Sequence, residues 1–185
     1  MALAFLERYS SYDEDDVSGP ESFDESDLRL ANRGGARISS AEIAAILERR
    51  GEIERALREI HFDVSLAQPT ATIPWRALTA LFEAFGEIRG VGFSKMTKAL
   101  HRKRPLLIPI LDSVVQAYLI EDDPTAPSRG SFGERATALV RSYKGDLDRN
   151  RATLRAVRRE LASHGYPVTE VRLLDLLIWS KRAGS

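Results

Sequence analysis

The chain has 185 residues, with 27 basic and 27 acidic side chains, three histidines and no cysteine. At 43% apolar and 29% charged, it reads as one ordinary globular domain and not as a disordered chain. The missing cysteines exclude disulfides, a thiol nucleophile, iron–sulfur clusters and cysteine-ligated zinc. No apolar run approaches the ~18 residues of a membrane span, and the first residues lack a signal-peptide pattern. A cytoplasmic location without membrane contact is the expectation.

Helical signals follow one another along the chain. A short helix is expected over 24–32, ending before Gly34 and Gly35. Ser39 and Glu42 have capping-box spacing, with Ile43, Ile46 and Leu47 on one face and Gly51 as the stop. Ile53, Ala56, Leu57 and Ile60 continue at helical spacing over 52–60. Residues 61–66 alternate and predict the single short strand. Pro74 suits a first helical turn, followed by the stripe Leu78, Leu81, Phe82 and Phe85. Further helices are expected over 93–102, 112–120, 131–144, 148–164 and 169–182, with Gly145 and Gly165 as terminators. Loops fall at 10–22, 67–73 and 121–130. The fold class is therefore all-α, a compact body of roughly eight to ten helices.

The charges are unevenly placed. Residues 1–35 carry nine acids and three bases, and 88–111 carry six bases and no acid. Residues 141–159 carry seven bases against Asp146 and Asp148. We expect residues 1–36 to form an acidic segment packed on a single helical domain, 37–185. Such clustering suits an anion-binding face, but charge alone favours plain solvated helix surfaces.

The chemistry concentrates between two amphipathic helices at 74–104. Gly90-Val91-Gly92 lets the backbone turn tightly while the middle side chain plugs the core. The free amides and dipole of the following helix then form a phosphate site. Arg89 and Ser94 flank it, and Lys95 and Lys98, spaced i, i+3, are placed to hold one anion. This is the logic of a helix-hairpin-helix that grips a nucleic-acid backbone without reading its sequence. For His101-Arg102-Lys103-Arg104, a DNA contact and a helix-end cap are both open. Asp112 opens the next helix as its cap. His61, His101 and His164 lack ligand spacing, so no metal or other cofactor is expected. Trp75 and Trp179 sit in apolar patterns and read as core; Arg172 and Asp175 are spaced to pair.

The segment IRGVGFSKMTKAL, followed by LLIPILD, resembles the helix-hairpin-helix base-excision DNA glycosylases. PILD is especially similar to the adenine-specific mismatch enzymes. That resemblance implies DNA as partner and Asp112 as a catalytic carboxylate that stabilises an oxocarbenium-like sugar. Ser94 stands where bifunctional members place a Schiff-base lysine. Arg89 replaces the usual hairpin proline, and no cysteine can bind the cluster of many members. Phe93, Tyr118 and His101 are the candidate wedges. Over most of its length the chain also resembles an uncharacterised bacterial family sharing SK…KRPxLIPxxDS, DLRLANRGGARIS and VRLLDLLIW. The leading expectation is non-sequence-specific DNA binding, with a monofunctional glycosylase and a protein-interaction scaffold as alternatives.

Overall fold

The computed structural model describes residues 18–122 and 130–183. These residues form nine α-helices and, between the third and fourth, a single 3₁₀ turn. In chain order they are α1 (Glu25–Arg33), α2 (Ser40–Glu48), α3 (Arg50–Arg58), α4 (Trp75–Glu83) and α5 (Phe93–His101). Then come α6 (Ser113–Asp122), α7 (Phe132–Arg149), α8 (Arg151–Ser163) and α9 (Glu170–Ala183). No strand occurs among the described residues, so the all-helical class holds. The expected loop over 10–22 lies partly outside them, as does most of the one over 121–130.

Local chemistry explains the starts. Asp24, Ser39 and Ser131 each cap a helix, and each helix answers with a carboxylate at its third position, Asp27, Glu42 and Glu134. Three sequence expectations fail, each for a physical reason. Gly51 lies inside α3, because nothing crowds its exposed position and a helical glycine costs only about 1 kcal/mol. The break falls at Arg49 instead. Gly145 is likewise internal to α7, which runs unbroken through the expected gap. Residues 61–66 form turns: the buried Leu66 donates its amide to Leu106 O at 2.8 Å, and among the described residues no partner strand continues the ladder. Gly165, at φ +85°, does follow the end of α8.

One hydrophobic cluster joins all parts of the described chain, from Phe23, Leu28 and Ala31 to Val171, Leu174 and Ile178. Its most closely packed pair is α4 against α7. A β-carbon on Gly133 would lie 2.4 Å from Thr79 O and 3.0 Å from Glu83 N, so only glycine lets the two helices approach so closely. Thr79 and Thr137 hydroxyls meet across this contact at 2.8 Å.

The basic run at 101–104 mostly faces inward. His101 is buried and donates from Nδ1 to Ile108 O at 2.6 Å. Lys103 is buried against Asp27, 2.7 Å away, and also reaches Ser18 and Gly19. Arg104, 1% exposed, donates to four carbonyls, those of Leu57, Ile60, Lys103 and Pro20. These three side chains tie α1, α3 and the α5–α6 connection together, so each of them has a structural role.

Candidate nucleic-acid interface

The turn between α4 and α5 is built from alternating plugs and gaps. Ile88 and Val91 are buried, while Arg89, Gly90 and Gly92 are exposed. Val91 N closes the turn on Ile88 O at 3.0 Å. Gly90 has φ +84°, which a side-chain-bearing residue rarely adopts. Gly92 occupies the cap position of α5, so no side chain satisfies the first amides of that helix. Phe93 anchors the helix start: its ring lies 4.8 Å from that of Phe132, at the start of α7.

An anion already sits at this turn. The Glu42 carboxylate takes two hydrogen bonds from Lys95 Nζ, at 2.6 and 2.8 Å, and one from Ser39 N at 2.8 Å. A β-carbon on Gly90 would be 2.2 Å from Glu42 Oε1, so the carboxylate rests directly on the glycine. Burial pushes the Glu42 carboxyl up, but Lys95 and Ser39 more than reverse this and hold it below the usual range. Sequence spacing finds Glu42 only as a capping-box residue. Its contact with Lys95 bridges 53 positions, which no local pattern reveals.

Lys95 is bonded to Glu42. Lys98 turns to Gly35 O, 3.2 Å away, beyond the end of α1. Burial holds its ammonium below the ordinary lysine range, against the opposing pull of Asp112. Ser94 is half-buried in the first turn of α5.

Asp112 stands at the start of α6 and is 8% exposed. Its Oδ1 accepts from the amides of Val114 and Val115, both at 3.0 Å, as a helix cap does. Its Oδ2 accepts from Trp179 Nε1 at 2.9 Å. Trp179 is 36% exposed, so the expectation of a core residue is corrected: its indole edge serves a polar contact. Behind this pair lies Asp175, 2% exposed, which accepts from Tyr143 Oη at 3.0 Å and Ile110 N at 3.4 Å. Arg172 Nη1 stands 3.9 Å from it, a loose form of the expected pair. Burial, opposed by Arg172 and Tyr143, leaves the Asp175 carboxyl pushed up to about 7. Of the candidate wedges, His101 is buried, Phe93 is packed on Phe132, and Tyr118 lies 5.9 Å from Lys181.

Residues 5–182 match the sequence pattern of a family described as being of unknown function (DUF6308). The chain belongs to that family. No curated protein and no solved structure matches it. Among the described residues, no helix is long and apolar enough to cross a membrane.

Proposed function

We propose that this chain is a non-sequence-specific DNA-binding protein of the helix-hairpin-helix kind, gripping a phosphodiester backbone at the α4–α5 turn. One observation supports this reading above the others: an oxyanion, the Glu42 carboxylate, is seated on Gly90 and bonded to Lys95. A phosphate entering the turn takes over Lys95 and gains the uncapped amides of α5, while Gly90 and Gly92 leave the backbone room to approach. The exposed Arg89 adds a further cation.

Fluorescence anisotropy with a labelled duplex, repeated across a salt titration, tests it. Affinity should fall steeply with salt, and Lys95→Glu with Lys98→Glu should remove the binding. Glu42→Gln should tighten it about two- to fivefold, the worth of a solvent-accessible ion pair. Unchanged affinity in the double lysine variant would falsify the reading. Absence of binding at low salt would instead favour a protein-interaction scaffold.

A second reading, a monofunctional base-excision glycosylase, is favoured by the fixing of both Asp112 oxygens in one orientation by donors from α6 and α9. Incubation with damaged and mismatched duplexes followed by alkali tests it. Strand cleavage should appear with the natural protein and vanish in Asp112→Asn; cleavage that persists removes Asp112 from the chemistry.

A further inference from the structure

A cleft of about 370 Å³ opens where α8 meets the start of α9, away from the residues of the α4–α5 turn. It is lined by the apolar Ala67, Leu106 and Val171 and by the polar Ser65, Arg155, Arg158, Thr169 and Glu170. That volume suits a small metabolite.

Three observations converge on the ligand's chemistry. First, Arg155 and Arg158, one turn apart on α8, lean on a single oxygen of Glu170 at 3.3 and 3.5 Å. Two guanidiniums facing one carboxylate leave a net positive charge and unused N–H groups at the cleft. Second, the first turn of the 14-residue α9 forms one wall, and its dipole favours an anion there. Third, Glu170 is only 6% exposed, and its Oε2 is buried with no hydrogen-bond partner among the described residues. A buried carboxylate oxygen without a donor is costly, so the site is incomplete as it stands. The hydroxyls of Thr169 and Ser65 accept from Arg172 N and Ala67 N, which leaves their protons available to an incoming group.

We propose that this cleft binds a small phosphate monoester bearing hydroxyl groups, such as a sugar phosphate. The phosphate lies between Arg155, Arg158 and the start of α9, and a hydroxyl of the same molecule donates to Glu170 Oε2. The orphan acceptor selects for the hydroxyl; inorganic phosphate satisfies the cations alone.

Amide NMR titrations of the full chain with ribose 5-phosphate, inorganic phosphate and ribose test the assignment. Ribose 5-phosphate should shift the amides of Thr169, Glu170 and Val171 and bind at least about tenfold tighter than inorganic phosphate. Arg155→Gln with Arg158→Gln should weaken ribose 5-phosphate about tenfold or more; it also lowers the melting temperature, because the buried Glu170 loses both ion pairs, and retained amide peaks away from the cleft show that the fold is kept. Glu170→Gln should erase the preference for ribose 5-phosphate over inorganic phosphate. Absence of shifts at 169–171, or binding undiminished in the double arginine variant, overturns the site. Equal affinity for the two phosphates overturns the role of Glu170.

Discussion

A guanidinium wholly inside a protein is stable only when its donors are met, and Arg104 shows the condition fulfilled by four main-chain carbonyls. Arg104→Met keeps much of the volume but strands those acceptors. It should lower unfolding free energy by about 3 kcal/mol in urea titration. Asp175 makes the opposite arrangement testable by pH. Its folded carboxyl titrates near 7, well above the usual unfolded value of about 3.9. The folded state therefore holds a proton that the unfolded state has released, and stability falls as pH rises from about 4 to about 7. Asp175→Asn keeps an acceptor for Tyr143 and should flatten that part of the stability–pH curve, measured by thermal melts in matched buffers.

Between elements, the contact of α4 with α7 depends on the absence of one methyl group. Gly133→Ala drives a β-carbon onto Thr79 O and should cost about 1–3 kcal/mol by calorimetry. Gly51→Ala, on an open face of α3, should instead stabilise by up to about 1 kcal/mol. Gly51 also marks what was legible in the residues. Periodicity and the Ser39–Glu42 capping box placed the described helices, because apolar stripes and that pair are local, whereas the boxes at Asp24 and Ser131 went unread. Glycine as a stop sign failed at Gly51 and Gly145, since propensity is weak beside tertiary packing. The strand over 61–66 failed for want of a neighbour, and pairing is not a local property. Charge counting located the 88–111 segment but not its partners. His101, Lys103 and Arg104 are turned inward by groups 7 to 85 positions away. At the candidate site, the Gly90–Gly92 turn and the capping role of Asp112 were readable, whereas Glu42 over Gly90 and Trp179 on Asp112 were not.

At the scale of the whole molecule, the equality of 27 bases and 27 acids conceals an internal matching. Lys95 meets Glu42, Lys103 meets Asp27, and Lys144 meets Asp148, each drawn from a basic segment. The acidic N-terminal region is thus partly structural. Phe23, Leu28 and Ala31 lie in the common core, and Asp27 neutralises a buried lysine. Removal of residues 1–35 should abolish cooperative thermal unfolding followed by circular dichroism, because it strands Lys103 without its counter-ion. A truncated chain that melts as sharply as the full one would show that the body folds without this region.

The bond from Trp179 to Asp112 also gives the molecule an optical sensor. The chain has two tryptophans, and the other, Trp75, lies under the Arg141 guanidinium at 4.2 Å. With Trp75→Phe, the remaining emission comes from an indole whose N–H is fixed to Asp112 while its ring edge meets solvent. Any ligand or substitution that draws on the Asp112 carboxylate, or parts α9 from α6, is then read directly as a shift in colour and intensity.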